Sequence, residues 1–287
     1  MSPRKAILSL AVLLLASAPL ALAQGTYTQI DVPGAIDTWA FGIDTAGDIV
    51  GFYFAGTYHG FLLSGGTYTT IDYRGESTYL NGINDVGQIV GYGYSLAFVY
   101  NLQTQIFTEV AYPGTHNGTD PTSINHAGTI AGSYAYHAGG AYFGFQLAGS
   151  TYSKIVPPGS TNAIVSGISG SGKFVGSALN MSTGSYFNFS YAQGKYQNLR
   201  IPNTHFAAVN GISPSGSALV GQYMLSLGVA VGFVYENKTL QTLQFPGAID
   251  TYAYGVNDAG EVVGWFIDSS YNTHGFTWTP PADAGKK

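Results

Sequence analysis

Residues 245–266 read FPGAIDTYAYGVNDAGEVVGWF, and residues 32–53 read VPGAIDTWAFGIDTAGDIVGFY. The two stretches begin 213 residues apart and are identical at 12 of 22 positions. Four weaker copies of the same phrase lie between them, and successive copies are 40, 41, 44, 44 and 44 residues apart. The equivalent positions are Gly42, Gly82, Ser123, Gly167, Gly211 and Gly255. This period is typical of a four-stranded β-propeller blade.

Each copy also has the pattern of a strand, a tight turn and a second strand. The turn has Asp, Asn or Ser first and Gly fourth, as in Asp44 to Gly47. The polar side chain can cap such a turn, and glycine accepts the positive φ that closes it. A repeated glycine ends the second strand and predicts a bulge or a close approach of two backbones. Its copies are Gly51, Gly91, Gly132, Gly176, Gly221 and Gly264.

The last repeat lacks a strand, and the N-terminus supplies one. A third strand in each unit carries His-Gly-Phe or a relative, and a fourth resembles TYTTIDYRG of residues 67–75. After Trp278 the chain runs directly into two prolines, whereas residues 26–33, TYTQIDVP, form a fourth strand with no unit before it. Because a ring leaves neither fragment with an open edge, the sequence predicts an all-β, six-bladed β-propeller over residues 24–279. Its last blade is completed by the N-terminal strand, and residues 280–287 form a polar tail.

The first residues predict export. Arg4 and Lys5 precede an apolar run, and Ala21-Leu22-Ala23 before Gln24 has the small-x-small pattern of a signal-peptidase site. We interpret residues 1–23 as a signal peptide and expect a secreted or periplasmic protein with no membrane association after cleavage. A retained anchor is the alternative, since the segment 6–23 is just long enough to span a bilayer, but Pro19 disfavours it.

Composition narrows the class of protein further. Hydrophobic residues make up 45% of the chain and charged residues only 9%, which is typical of a folded protein. There is no cysteine, so disulfides and thiolate metal sites are excluded. Cleavage would leave 8 basic and 15 acidic residues, a formal charge of −7. We therefore expect no nucleic-acid partner, and we expect a monomer.

The repeat resembles that of a known group of bacterial extracellular proteins. His59-Gly60-Phe61 and His274-Gly275-Phe276 are similar to the His-Ala-Phe triplet of the HAF-repeat family, and the segment 82–91 is similar to its Gly-Ile-Asn-x-x-Gly-x-Ile-Val-Gly segment. The likeness covers nearly the whole mature chain, although units three to five depart from the triplet. The resemblance implies export and a propeller-like repeat, and it implies no particular activity.

No local motif indicates catalysis. Residues 167–173, GISGSGK, fit the phosphate-binding pattern G-x-x-x-x-G-K, but Phe174 follows where a hydroxyl residue should hold magnesium. The stretch is also in register with the turn of every other unit, which favours a repeat turn. Gly-x-Ser-x-Gly and His-Glu-x-x-His patterns do not occur. Catalysis would therefore need residues from several blades.

The fold nevertheless restricts where a site can lie. Connections from fourth to first strands and from second to third strands should open on one face, around the channel mouth. Residues there that occur in one unit only are the candidates for specific binding: Glu76, His116, Asp120 and His205. Asp37, His59, Asp250 and His274 belong to the adjacent blades one and six and can hold a divalent metal or supply a general base. Because these four recur between repeats, we favour a scaffold role for them and expect no cofactor.

Aromatic residues suggest a second kind of site. Trp39, Tyr79 and Tyr252 occupy equivalent positions before the first strands. Flat rings on a rim can stack on sugars or contact a peptide, although packing between blades is the alternative. The sequence thus favours a non-enzymatic binding or scaffold propeller for a glycan or a protein. The alternative is a hydrolase, lactonase or lyase at the same mouth, with a divalent metal as an optional cofactor.

Overall fold

The computed structural model describes residues 25–282 except 95, 116, 117, 138, 226 and 227, and it describes only the backbone of His205. The predicted signal peptide and the last five residues of the predicted tail therefore lie outside the described residues. The described chain contains 24 strands and no helix long and apolar enough to cross a bilayer. In chain order the strands are β1 (Thr26–Ile30), β2 (Asp37–Ile43), β3 (Ile49–Phe54), β4 (Tyr58–Ser64), β5 (Thr67–Ile71), β6 (Tyr79–Ile83), β7 (Gln88–Tyr92), β8 (Ala97–Asn101), β9 (Ile106–Val110), β10 (Thr119–Ile124), β11 (Ile130–Tyr134), β12 (Phe143–Ala148), β13 (Thr151–Ile155), β14 (Ser160–Ile168), β15 (Phe174–Asn180), β16 (Tyr186–Ala192), β17 (Lys195–Leu199), β18 (His205–Ile212), β19 (Ala218–Met224), β20 (Ala230–Glu236), β21 (Thr239–Leu243), β22 (Asp250–Val256), β23 (Val262–Ile267) and β24 (Thr273–Thr279).

These strands form six antiparallel sheets of four, arranged as a six-bladed β-propeller. Blades one to five each use four consecutive strands, beginning with β2, β6, β10, β14 and β18. Blade six has the order β1-β24-β23-β22, so the N-terminal strand is its outermost member. β1 pairs with β24 from Thr26 opposite Thr279 to Ile30 opposite Gly275. The prediction of a ring closed by the N-terminal strand is confirmed.

The repeated second-strand glycine allows a bulge in every first strand. In blade one, Ala40 pairs with Gly51 and Gly42 pairs with Val50, so Phe41 is the extra, unpaired residue. The same register shift occurs in the first strand of the other five blades. A Cβ added at Gly51 would overlap the carbonyl oxygen of Trp39, and the other five glycines face equivalent carbonyls. Both the bulge and the close approach are present.

The turns between first and second strands lie at the end of the channel opposite the mouth, and hydrogen bonds between them link adjacent blades. Asp44 Oδ1 accepts hydrogen bonds from Ala46 N and Asp48 N, both at 2.9 Å, and Gly47 has a φ of 84°. Asn257 Nδ2 of blade six donates to Asp44 O of blade one at 3.2 Å, which links the last turn to the first. The P-loop-like segment is one of these turns, because β14 ends and β15 begins on either side of it and no helix follows.

Equivalent apolar residues fill the wedges between blades. The third-strand phenylalanines are all fully buried, at 0% exposure: Phe61, Phe98, Phe145, Phe189, Phe233 and Phe276. Ile30 of β1 is only 3% exposed and belongs to a cluster with Ala40 and Val263. On the other side of the same strand, Tyr27 packs edge-on against Phe245 and its hydroxyl accepts from Gln244 N at 3.0 Å. The closing strand is therefore anchored on both faces.

Candidate functional site

All six first strands line the central channel. In each blade the bulge leaves one residue without a backbone partner in the next strand, and this residue lies on the channel wall. These residues are Phe41, Asn81, Thr122, Ser166, Asn210 and Tyr254. They surround a cavity of about 400 Å³, which is the size of a small-ligand pocket.

One side of the channel is aromatic. Four rings line the cavity: Phe41, Phe52, Tyr92 and Tyr254. We call these four, together with the rings of blades six, one and two that pack on them or on one another, the aromatic wall; the additional rings are Trp39, Tyr79, Tyr252 and Trp265. Their rings form a continuous chain of contacts, for example Tyr252 stacked on Trp265 at 4.0 Å between ring centres and Tyr79 stacked on Tyr92 at 4.9 Å. Phe41 meets Tyr254 of the neighbouring blade at 4.5 Å. Every ring of the wall is half-buried, so part of its surface is open to solvent.

The other side of the channel is lined by small polar groups. We call Thr122, Ser166 and Asn210, from blades three, four and five, the polar wall. Each donates to a backbone carbonyl of the next blade: Thr122 to Val165 O at 2.8 Å, Ser166 to Val209 O at 2.8 Å and Asn210 to Ala253 O at 2.9 Å. These bonds fix the side chains, and the oxygens of Thr122 and Ser166 keep lone pairs that can accept from a ligand.

Asp120 lies where the two walls meet. It occupies the repeat position of Trp39 and Tyr79, and it lines the channel with half of its side chain enclosed. Asn81 Nδ2 donates to Asp120 Oδ1 at 3.2 Å. Burial raises the pKa of Asp120 to about 7, against the hydrogen bond from Asn81, which lowers it. Burial, and next the negative charge of Asp120, raises the pKa of the nearby Tyr92 phenol.

Of the remaining singular candidates, the side chain of Glu76 alone is described, and it is not among those that line the cavity with Asp120. Glu76 lies in the connection between β5 and β6, where its backbone N–H donates to Tyr73 O at 2.9 Å and its carbonyl accepts from Thr78 Oγ1 at 2.9 Å. His116 lies outside the described residues. His205 begins β18, and its side chain is not described.

The four residues considered as metal ligands make separate contacts. His59 Nδ1 hydrogen-bonds Asp72 Oδ2 at 2.8 Å, and His274 Nδ1 makes the equivalent bond to Asp31 Oδ1 at 2.8 Å. In both blades the partner of the imidazole is the carboxylate that follows the fourth strand of the same blade, a pairing that the sequence did not predict.

Asp37 and Asp250 each accept a hydrogen bond from the preceding blade of the ring. Asp37 accepts from Thr273 N and Asp250 accepts from Ala230 N, both at 2.8 Å. Within the part of the chain that the structure describes, no three His, Asp or Glu side chains lie close enough to hold a metal ion.

Sequence reasoning missed most of both walls. Trp39, Tyr79 and Tyr252 were found, but not the bulge residues or the aromatic residues that follow the second-strand glycines, such as Phe52 and Tyr92. A usable signal was present at the bulge position. Directly before the Gly or Ser that defines the repeat, the six copies read Phe, Asn, Thr, Ser, Asn and Tyr.

The face around the mouth also exposes large apolar side chains. Tyr94, Phe206 and Tyr271 are 86%, 90% and 80% exposed, and all three lie in or beside connections on this face. Phe206 and Tyr271 have φ angles of 53° and 66°, a region that bulky residues rarely adopt. Tyr94 also lines a groove of about 380 Å³ that shares Tyr79 and Tyr92 with the aromatic wall. Aromatic surface therefore continues outward from the channel.

No protein-family model and no curated protein matches the sequence. Solved structures do resemble the fold. A gluconolactonase from Xanthomonas campestris superposes with a TM-score of 0.57 at 11% identity, covering 92% of this chain and 94% of its own. TolB from Acinetobacter baumannii gives 0.57 at 13% identity, covering 87% and 65%, and a putative TolB from Agrobacterium tumefaciens gives 0.55 at 12%, covering 71% and 74%. The chain shares their propeller fold. At these identities the likeness extends to architecture alone.

Proposed function

We propose that this protein is an exported binding propeller that takes a glycan at the mouth of its channel and performs no chemistry on it. One observation carries the proposal: partly open rings of the aromatic wall and the side chains of the polar wall line opposite sides of one preformed cavity. A sugar ring has an apolar face of C–H groups and a periphery of hydroxyls. It can stack on the first wall while hydrogen-bonding the second.

Burial separates this interpretation from packing between blades. The rings that fill the wedges, such as Phe61 and Phe233, are fully buried. Those of the aromatic wall, such as Trp39 and Tyr252, keep open surface although the blades are closed around them. The wall rings also contact one another across blade boundaries, as Phe41 does with Tyr254, but their open surface is available to a ligand.

Export is supported by the pattern of residues 1–23 and by the resemblance to the HAF-repeat family. The mature protein is then expected to begin at Gln24 and to be found in the periplasm or outside the cell. N-terminal sequencing of the protein recovered from cell fractions checks this. A cytoplasmic protein that still begins at Met1 would refute it.

The test of glycan binding is an array screen with residues 24–287, followed by titration of the best ligand. Phe52→Ala and Tyr254→Ala, which remove rings that line the cavity, should each weaken binding at least roughly tenfold, the equivalent of about 1.4 kcal/mol. Tyr186→Ala is the matched control, because Tyr186 is 67% exposed on blade four and does not line the cavity. Wild-type affinity in the two wall variants, or an equal loss in the control, would overturn the proposed site.

Ligand binding should also be visible in intrinsic fluorescence. Trp39 and Trp265 belong to the aromatic wall, whereas Trp278 is 2% exposed in the core. A stacked ligand should therefore change the emission of the first two, and the change should shrink in Trp39→Ala. A response that survives unaltered in this variant would argue against stacking on that ring.

Asp120 favours one alternative, a hydrolase or lyase at the same mouth. A general base works best when its pKa lies near the operating pH, and burial brings the pKa of Asp120 to about 7. A panel of lactones, esters and glycosides tests this. Turnover that is abolished by Asp120→Asn, with binding retained, would replace the binding proposal by an enzymatic one.

A further inference from the structure

The carboxylates around the channel differ in how many hydrogen bonds they accept from the protein. Asp44 accepts two backbone N–H groups, and Asp85 accepts from Thr45 N at 3.0 Å and Thr45 Oγ1 at 2.8 Å in the neighbouring blade. Asp120, by contrast, accepts one side-chain N–H, from Asn81 at 3.2 Å, among the described residues. A carboxylate enclosed by protein is normally paired or multiply hydrogen-bonded. Asp120 therefore has acceptor capacity directed at the channel that the scaffold does not use.

The surroundings of Asp120 favour a positive charge. The described channel lining contains three aspartates and no Lys or Arg. Its one histidine, His126, lies in a turn at the opposite end of the channel from the mouth, with Nδ1 at 3.9 Å from Asp85 Oδ2. The ring of Tyr92 lines the same cavity and is near enough for the negative charge of Asp120 to raise the pKa of its phenol, after the larger effect of burial. Cations are attracted to aromatic faces, and more strongly when desolvated. A carboxylate and aromatic rings together form a pocket for an ammonium group.

We propose that the ligand carries a protonated amino group, as in a glucosamine-containing glycan, and that this group binds between Asp120 and the aromatic wall beside Tyr92. This inference rests on the proposed function and names its ligand class. Asp120 is the one acidic residue at its repeat position, where the other blades have Trp39, Tyr79, Ile164, Ala208 and Tyr252. The neutral parts of the sugar would still contact the two walls.

Matched oligosaccharides test the inference. Cellulose, chitin and chitosan oligosaccharides of equal length share one backbone and differ at a single substituent, which is a hydroxyl, an acetamide and an amine respectively. We expect the chitosan oligosaccharide to bind wild type tightest. Asp120→Asn, which keeps the side-chain shape, should weaken that ligand roughly 10- to 100-fold, the loss expected for a charge-assisted hydrogen bond, and should leave the other two unchanged.

Proton release gives an independent measurement. An ammonium beside Asp120 favours its charged form, and burial, which raises the pKa of Asp120 to about 7, leaves part of these carboxyls protonated near neutral pH. Binding of spermidine, whose amines stay protonated at this pH, should therefore release protons, measured by calorimetry in buffers of different ionisation enthalpy. Affinity should rise between about pH 5 and about pH 8 as Asp120 ionises. Asp120→Asn should remove both effects.

Other groups near Asp120 need a control. The titratable side chains on described strands packed against β10 are Tyr79, Tyr92, Tyr100 and Tyr134. Tyrosines ordinarily titrate near pH 10 and do not account for a change around neutrality. His116 precedes β10 and lies outside the described residues, so the pH series is repeated in His116→Ala. A pH dependence that disappears in His116→Ala and persists in Asp120→Asn would overturn the assignment.

The outcomes distinguish this inference from the proposed function. Binding of all three oligosaccharides with equal affinity would uphold a glycan site and overturn the ammonium site. Binding of spermidine that is lost in Asp120→Asn, with no binding of any sugar, would uphold the ammonium site and overturn the glycan function. Absence of both would overturn the two together. Circular dichroism of Asp120→Asn confirms that the variant is folded.

Discussion

The ring depends on β1, and Ile30 offers a direct way to test its docking. Ile30 is 3% exposed and contributes to the core shared by blades six and one. Ile30→Ala removes three carbon atoms from this core. It leaves the five backbone pairs of β1 with β24 intact.

The expected cost follows from the burial. Truncation of a fully buried Ile to Ala costs about 2–5 kcal/mol, and we take about 3 kcal/mol for Ile30. Unfolding of about 250 described residues at roughly 2.1 cal/mol/K each gives an entropy of roughly 0.53 kcal/mol/K. The melting temperature should therefore fall by roughly 6 °C.

Two matched variants make the result interpretable. Ile71 is the equivalent residue of blade one, 5% exposed, and Ile71→Ala should lower the melting temperature by a similar amount. Ile36 is 60% exposed, and Ile36→Ala should change stability by less than about 0.5 kcal/mol. Differential scanning calorimetry of all three provides the comparison. If Ile30→Ala melts like wild type while Ile71→Ala is destabilised, β1 does not close the ring.

Two further outcomes are expected. Gly264→Ala should lower the melting temperature by more than Gly56→Ala. The new Cβ at residue 264 would overlap a backbone carbonyl of β22, whereas the space around Gly56 is open and its alanine variant is strained only by the positive φ of 89°. The pKa of His274 is raised: burial lowers it, but the hydrogen bonds and charges of Asp31 and Asp268 outweigh burial. Because the folded state then favours protonated His274, stability should decline as the pH rises above about 6.5 and through this raised pKa. His274→Gln should flatten that decline in thermal melts at several pH values; a slope equal to that of wild type would contradict the assignment.

The architecture was predictable because each blade repeats the same local constraints. The period sets the number of strands per unit, and the polar residue and glycine of turns such as Asp44 to Gly47 set the hairpin. The closing strand could be predicted by counting strands. The chain has five complete units, one unit of three strands and one single strand, and only a ring lets the single strand complete the last unit. The second-strand glycine was informative because a close carbonyl excludes any side chain at Gly51, whatever the rest of the blade contains.

The site was only partly predictable, because its contacts join residues of different blades. Asp120 could be selected as singular, but its partner Asn81 is 39 residues earlier and reaches it across a blade boundary. The pairing of His59 with Asp72 was missed for a related reason. Both belong to blade one, yet the register between the third strand and the residue after the fourth cannot be read from either alone.

The arrangement of the walls bears on function because the scaffold does not require it. At the repeat positions of Trp39 and Phe52, blades six, one and two have aromatic residues. The other three blades have Asp120, Ile164 and Ala208 at the first position and Ser133, Ser177 and Gln222 at the second. Six copies of one framework can fold with either kind of residue there, so packing alone would allow the two kinds to be interspersed. The aromatic residues are instead confined to three adjacent blades, so a ligand in the channel meets rings on one side and the smaller side chains of blades three to five, such as Thr122 and Ser166, on the other.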